Sequence, residues 1–257
     1  VFDFTGKTVL IAGGAGYLGL PTCKLVAELG ANLCIADIDE RRCSEAATLL
    51  RDAGSGEVMP LVLDIGNEDS IRACVRDCTK RFDGMWGLVN ATFGSTASRF
   101  EDLTAAEFDR ANRLNLTGSF LLAREAAAHM HDGGAMVLYA SMYGVVAPRP
   151  SGYPEGMTPN PIEYGAGKAG IIQMARYMAA HFGPRNIRVN AVAPGPYPHL
   201  PTQDGSAEFM AYLTASTMLG RIGRQDEMSG PTAFLLSEAA SYITGQCLNV
   251  DGGWTAW

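Results

Sequence analysis

No stretch of this chain strings together the ~20 apolar residues that a membrane-spanning helix needs. None is a run of lysine and arginine either, and cations are the scarcer charge: 20 Lys and Arg stand against 27 Asp and Glu, for a net charge of −7. A surface that neutralises phosphates needs the opposite balance, so neither nucleic acid nor a membrane is expected as a partner. Clustered metal ligands are also missing. The six cysteines (Cys23, Cys34, Cys43, Cys74, Cys78 and Cys247) are scattered with no histidine or cysteine cluster beside them, so no metal site is expected. A chain of 257 residues buries a large core without disulfide staples, which makes reduced, buried thiols the expectation. The opening VFDFTGKTVLIAGG lacks the basic segment, apolar stretch and cleavage site of a secretion signal. A cytoplasmic location follows as an expectation. There is no internal repeat, linker or low-complexity tract, so one domain is expected over 1–257.

What is present is an alternation. Short apolar runs, KTVLIAG, NLCIADI, VMPLVLDI, MWGLVNA, AMVLYAS, IRVNAVAPG and GQCLNVDGG, read as seven strands. Between them, helical periodicity predicts helices over 17–29, 40–51, 68–81, 105–130, 161–182 and 225–236. Buried strands alternating with amphipathic helices mean β-α-β units and a parallel sheet. The fold class expected is α/β, a single Rossmann-type doubly wound domain whose seven-stranded parallel sheet carries helices on both faces. Two irregular stretches interrupt the pattern. One is a Pro- and Gly-rich segment near 145–162, and the other is a long loop near 196–223; loops of that length in a compact domain are usually functional.

The first strand runs into AGGAGYLG, in which residues 14–19 fit G-x-G-x-x-G between a strand and a helix. That context suits a pyrophosphate: glycines let the backbone approach, and the helix N-terminus faces the charge. Gly13, Gly16, Tyr17, Leu18 and Gly19 are the candidate contacts. Asp37, ending the second strand, is placed to accept bonds from ribose hydroxyls and to repel a 2′-phosphate, which favours NAD over NADP. Arg41 and Arg42 follow in the next helix, where solvated surface is the simpler expectation. Asp64, at the end of the third strand, is placed for an adenine edge or for the start of the next helix.

YGAGK sets Tyr164 one helical turn before Lys168, on the same face. An ammonium beside a phenol favours the phenolate, so the pair is a candidate acid/base device. The motif alone is a common accident; its company decides. AGGAGYLG, Asp37, Asp64-Ile65, LVNAT, LNLTGSF, ASMYG, YGAGK, RVNAVAPG and NVDGG occur in that order over essentially the whole chain. On these motifs the chain resembles the short-chain dehydrogenase/reductase family, in its ~250-residue branch. The resemblance implies four catalytic residues, Asn115, Ser141, Tyr164 and Lys168. Tyr164 would exchange the substrate hydroxyl proton. Lys168 would lower the tyrosine pKa and hold the nicotinamide ribose, and Ser141 would steady the substrate oxygen. Asn115 would link Lys168 to solvent through its carbonyl and a water. The resemblance also places Ile65, Asn90, Pro194 and Gly195, with Tyr164 and Lys168, against the coenzyme. It implies a small-molecule substrate and a homo-oligomer, dimer or tetramer, built on the long helices flanking the fifth strand.

The chain departs from that family's pattern in places. Its glycine spacing is that of the longer branch, which includes sugar-nucleotide epimerases and dehydratases, while its length and ending are those of the shorter. Asn90-Ala91-Thr92-Phe93 replaces N-N-A-G, and Phe93 is expected to narrow the active site. His199 and Thr202 stand where a threonine contact to the carboxamide is usual. The segment before Tyr164 is roughly ten residues longer than usual, stiffened by Pro148, Pro150, Pro154, Pro159 and Pro161. It is expected to wall the substrate site, with Arg149, Tyr153, Glu155 and Asn160 as polar contacts, or else to be a surface or oligomer-contact loop. The stretch MYGVVAP…EGMTPNPIEYGAGKAGI resembles a subgroup linked to flagellin-modifying, sialic-acid-like sugar biosynthesis, which implies a polar or sugar-like substrate. The function expected is NAD-dependent interconversion of a secondary alcohol and a ketone. An epimerase- or dehydratase-like cycle and a coenzyme-sensing protein without turnover are the alternatives.

Overall fold

A computed structural model describes residues 1–51, 54, 56–199, 202 and 205–257. Seven parallel strands form one sheet in the order β3-β2-β1-β4-β5-β6-β7. They are β1 (Thr8–Ala12), β2 (Asn32–Asp37), β3 (Val58–Val62), β4 (Gly87–Asn90), β5 (Gly134–Tyr139), β6 (Ile187–Pro194) and β7 (Cys247–Val250). The two-residue alternation of a strand divides the core between the two faces. Leu10 and Ala12 of β1 join the core under one helical layer, while Val9 and Ile11 join the core under the other. Being buried on both faces is why β1 reads as an uninterrupted apolar run.

The first layer contains α3 (Glu68–Phe82), α4 (Ala105–Asn112), α5 (Ser119–Ala128) and α6 (Ile162–Phe182). The second contains α1 (Gly19–Glu28), α2 (Glu40–Leu50) and a helix near the C-terminus, Ser229–Leu236, which is α8 here. Side-chain caps begin several helices. Asp39 accepts from the Arg42 amide, Asn67 from the amides of Asp69 and Ser70, and Thr104 forms a reciprocal capping box with Glu107.

Three expectations need correction. The helix expected over 105–130 is broken by a π-helical segment, Arg113–Gly118, between α4 and α5. Its cause is tertiary: the Asn115 side chain bonds both backbone atoms of Gly94, while its carbonyl takes the Ser119 hydroxyl at 2.6 Å. The loop expected near 196–223 contains α7 (Ala207–Ala215), capped by Ser206; residues 200, 201, 203 and 204 of that stretch lie outside the described residues. The helix expected over 225–236 opens as a 3-10 turn, Gln225–Met228. The cysteines are free, five of them buried and Cys247 half-buried. Among the described residues no helix is long and apolar enough to cross a membrane.

Candidate active site

Neighbours on opposite sides of β1 are β2 and β4, so the chain reverses its winding there, and the crevice beyond those strand ends is where ligands bind in such sheets. A cavity of about 410 Å³ opens at this point. One end is lined by Gly13, Gly16, Tyr17, Leu18 and Gly19, with Asp37, Asp64 and Ile65 beside them. At the other end stand Ser141, Tyr164, Lys168, Pro194 and Gly195.

The glycine turn is shaped by space. Gly13 adopts φ 73°, in the region that favours glycine, and a Cβ there would lie 2.9 Å from the Ala91 carbonyl. On Gly19 a Cβ would meet the Gly13 carbonyl oxygen at 2.0 Å. The helix expected from 17 begins only at Gly19, since Gly16 to Leu18 form the turn, and no side chain caps α1. Uncapped amides at a helix start behind a glycine cradle are a fit for a pyrophosphate. Asp37 uses one carboxylate oxygen on the Ile38 amide at 2.9 Å. Asp64 is tied at one oxygen to the Gly66 amide at 2.9 Å, so it both lines the cavity and shapes the turn after β3. Arg41 and Arg42 are both exposed, as expected, and Arg42 makes a further contact. Arg41 lies on the surface, paired with Glu45, but Arg42 lines the cavity and donates to the Ala15 carbonyl of the glycine turn.

On the reacting side, Ser141 follows β5 in extended backbone and caps the 3-10 turn Met142–Gly144, accepting from the Tyr143 amide at 3.1 Å. Its hydroxyl proton is left to donate elsewhere. Gly144 lets this turn rest on α6, because a Cβ there would lie 2.7 Å from the Lys168 backbone. Tyr164 and Lys168 occupy the first turns of α6 on one face, as their spacing predicts. The Lys168 ammonium is buried, donates to the Tyr139 carbonyl at 2.8 Å and reaches the Thr92 carbonyl at 3.4 Å. It lies 5.7 Å from the centre of the Tyr164 ring.

The electrostatics differ from the simple expectation of a lysine pulling a tyrosine down. Burial pushes Lys168 down to about 7. It also pushes Tyr164 up, opposed by a hydrogen bond from Ser141. Desolvation of the charged form is the leading cause in both cases.

One expected contact does not line the cavity. Asn90 is buried behind it, donating to the Ser119 hydroxyl at 2.8 Å and accepting from the Thr92 amide and hydroxyl at 3.1 and 2.7 Å; Ala91, Thr92 and Phe93 line the cavity in its place. Asn115, expected to act through its carbonyl rather than in the cavity, is buried behind the wall, its side chain bound to Gly94 at 2.9 and 2.8 Å and its carbonyl accepting from Ser119 at 2.6 Å. The insertion lines a second cavity beside this one. No residue of 145–162 lines the first cavity; together with Ser98 to Glu101 the insertion encloses the neighbouring one of about 850 Å³. Of its polar candidates only Asn160 lines that space. Tyr153 instead bonds the Tyr143 hydroxyl at 2.8 Å and packs on Phe209 and Tyr212 of α7.

Sequence reasoning passed over Tyr139, whose carbonyl holds Lys168, and Tyr197, which lines the cavity with Pro194 and Gly195. Neither carries a motif. His199 does line the cavity, its ring 4.4 Å from that of Tyr17, whereas Thr202 only bonds back to the His199 carbonyl.

A doubly wound sheet, a glycine cradle with an acid at the next strand end, and a Ser-Tyr-Lys group at the far end of one cavity define a nicotinamide-dependent oxidoreductase. Comparisons agree. A family model described as enoyl-(acyl carrier protein) reductase matches residues 14–255. The chain is 34% identical over 257 residues to cis-4-hydroxycyclohexanecarboxylate dehydrogenase of Sinomonas cyclohexanicum, covering 98% of each. It is 32% identical over 261 residues to 2,5-dichloro-2,5-cyclohexadiene-1,4-diol dehydrogenase of Sphingobium indicum, covering 99% of each. A solved short-chain dehydrogenase/reductase from Serratia marcescens superposes with a TM-score of 0.90 at 29% identity, covering 99% of this chain and 100% of that one. The chain belongs to the short-chain dehydrogenase/reductase family. It is an oxidoreductase acting on CH–OH groups, interconverting an alcohol and a carbonyl.

Proposed function

We propose that the protein oxidises a ring-bearing secondary alcohol to its ketone, with NAD as coenzyme. The observation that carries this reading is the continuity of one cavity, from Asp37 at the ribose end to Ser141, Tyr164 and Lys168 at the reacting end. When bound, the coenzyme supplies the hydride acceptor, and the residues that would hold it are the glycine turn, Asp37, Asp64-Ile65, Lys168 and Pro194-Gly195. Asp37 keeps one carboxylate oxygen for ribose hydroxyls and sets a negative charge against a 2′-phosphate, while Arg42 is engaged by the Ala15 carbonyl.

At the reacting end the substrate hydroxyl would sit between Ser141 and Tyr164. The Ser141 proton donates to the substrate oxygen, and Tyr164 as phenolate takes the hydroxyl proton at its own oxygen. Lys168, held by the Tyr139 carbonyl, supplies the nearby charge once the site fills. Asn115 is a positioning residue for this group, since it fixes Gly94 and the wall beside Lys168.

The substrate side is aromatic. Phe93 stands edge-on to Tyr164, Tyr139 and Tyr197 line the same cavity, and a small buried core of Met142, Tyr143, Phe209, Leu213 and Trp254 backs Tyr164 from behind. Flat apolar walls suit a ring, and the Sinomonas and Sphingobium relatives are by name dehydrogenases of cyclic alcohols, as is a cyclopentanol dehydrogenase of Comamonas testosteroni, 32% identical over 254 residues. The sugar-like substrate expected from the insertion is a ring with more hydroxyls, and the same assay tests it. Exposed Phe108, Phe120 and Tyr177 on the outer faces of α4, α5 and α6 support a homo-oligomer through those helices.

The test is to follow reduced coenzyme with NAD and NADP against cyclic alcohols, sugars, polyols and acyclic alcohols. NAD-linked turnover of ring alcohols is expected, falling ~1,000-fold or more in Tyr164→Phe. Tight coenzyme binding with no net reduction on any substrate would favour the borrow-and-return or sensing alternatives instead.

A further inference from the structure

Between β4 and α4 the chain crosses the active site as a strap without regular secondary structure, and alternate residues of it are gripped from beneath. Lys168 reaches the Thr92 carbonyl at 3.4 Å. Asn115 holds the Gly94 amide and carbonyl at 2.9 and 2.8 Å. Glu163 then accepts through one oxygen, Oε1, from both the amide and the hydroxyl of Thr96, at 2.9 and 2.8 Å. The residues between them, Phe93 and Ser95, and Ala97 just after are exposed. Phe93 is 61% exposed, and its ring meets that of Tyr164 edge-on, 6.5 Å between centres at 88°.

The first two grips use residues that the family resemblance had singled out. The third does not: it uses a residue that no motif marks. Glu163 is wholly buried (0%), and its other oxygen, Oε2, has no hydrogen-bond partner among the described residues. One turn along the same face of α6 is Gly167, where an added Cβ would lie 3.1 Å from Asn112 Oδ1, a second buried acceptor without a partner. Burying a carboxylate with half its capacity unmet is unfavourable, and packing in this crevice does not call for an acid. Ala97, the residue after Thr96, is held at φ 57°, in the left-handed region that alanine disfavours. A strained turn persists where its surroundings over-determine it, and the paired bonds from Thr96 to Glu163 stand directly before it.

We propose that Glu163 is a positioning residue for substrate: by pinning Thr96 it fixes the strap so that Phe93 forms the wall over Tyr164 and sets the ring size admitted. This rests on the reading of the cleft above Tyr164 as a site for a ring-bearing alcohol. Position 163 acts through Phe93 and touches neither substrate nor coenzyme, so its signature is a change in KM and ring preference that vanishes when Phe93 is gone.

The experiment is a double-mutant cycle of Glu163→Ala and Phe93→Ala, with Glu163→Gln and Thr96→Val alongside. The probes are cyclopentanol, cyclohexanol and 2-propanol at saturating NAD. Glu163→Ala is expected to raise KM for the cyclic alcohols about 10-fold, with kcat and coenzyme affinity within about 3-fold of wild type. Glu163→Gln keeps an oxygen for Thr96 and is expected to restore KM to within about 2-fold, and in the Phe93→Ala background the Glu163 effect is expected to fall below about 2-fold. Equal effects in both backgrounds, or a matching loss for 2-propanol with kcat falling and no rescue by glutamine, would overturn the proposal. Amide exchange supplies a readout that needs no turnover. Glu163→Ala is expected to speed exchange at Thr96 about 10-fold or more while Gln does not, and unchanged exchange in Glu163→Ala would also overturn it. If Glu163→Ala does not fold, Thr96→Val, which removes one of the two bonds to Glu163 together with the bond that the Thr96 hydroxyl accepts from the Ser98 amide, carries the same comparisons, with Ser98→Pro, which removes only the latter bond, as its control. A wild-type enzyme active on other alcohols but not on cyclic ones would refute the ring reading alone, and the cycle run on those alcohols would still judge the clamp.

Discussion

The two ends of the active-site cavity are built from different materials. Under β1, β2 and β3 the coenzyme end is mostly backbone: a glycine turn at φ 73°, uncapped amides at the start of α1, and one acid at a strand end. Under β4, β5 and β6 the reacting end is made of side chains on three connections: the strap after β4, the 3-10 turn after β5, and the segment carrying Tyr197 and His199 after β6. The first end is fixed by what glycine alone can do. The second is fixed by packing among residues distant in sequence, such as Tyr153 with Tyr143, Phe209 and Tyr212. A backbone site can bind one coenzyme and little else, whereas a side-chain site can be retuned without disturbing the sheet.

Substitutions can break this division. After Tyr164→Phe, the largest effect is expected for Lys168→Met, which removes the donor to the Tyr139 carbonyl from the reacting end and should cost about 100-fold in kcat. It also carries a stability signature. The Lys168 pKa falls from 10.5 to about 7 on burial, so the unfolded chain takes up this proton first as pH drops. Lysine therefore destabilises the fold progressively between those values and by a constant amount below pH 7. Thermal melts should show Lys168→Met gaining on wild type as pH is lowered from about 10 to 7, and nothing further below. Because burial raises Tyr164, wild-type alcohol oxidation should keep climbing through the alkaline range.

Gly19→Ala probes the backbone end. Its Cβ would stand 2.0 Å from the Gly13 carbonyl oxygen, so coenzyme affinity should fall about 10- to 100-fold in a fluorescence titration. Gly183→Ala, with nothing within 4 Å of the new methyl, should leave it unchanged. Asp37→Ser should shift the NADP-to-NAD ratio of kcat/KM about 10-fold toward NADP by removing the charge that opposes a 2′-phosphate. The smallest effect is expected for Tyr153→Phe, which loses the 2.8 Å bond to Tyr143 and should cost about 1 kcal/mol in denaturant melts, with coenzyme binding intact. A change in coenzyme affinity from Tyr153→Phe would dissolve the division between the two ends.

How much was legible follows the same line. The strand runs, the glycine turn, Asp37 and the Tyr164–Lys168 spacing are local patterns, and each lies where its pattern predicts. The expected helix over 105–130 fails at Asn115 because the reason for its π segment lies on Gly94, twenty-one residues away. Asn90 carries a motif yet is spent on Ser119, and Arg42 resembles a surface residue yet folds back on the glycine turn. The insertion reads from its prolines as a stiff loop, but which cavity it encloses depends on Ser98 to Glu101, on the other side of the cleft.

By itself the sequence determined the sheet, the coenzyme cradle and the reacting pair, because strand periodicity, glycine conformation and one-turn spacing act within a few residues along the chain. Tertiary structure alone decided the titration of Lys168 and Tyr164, the break in the helix at Asn115, the grip of Glu163 on Thr96 and the aromatic wall of the cleft. Desolvation and side-chain contact are properties of surroundings, and only folding sets those surroundings in place.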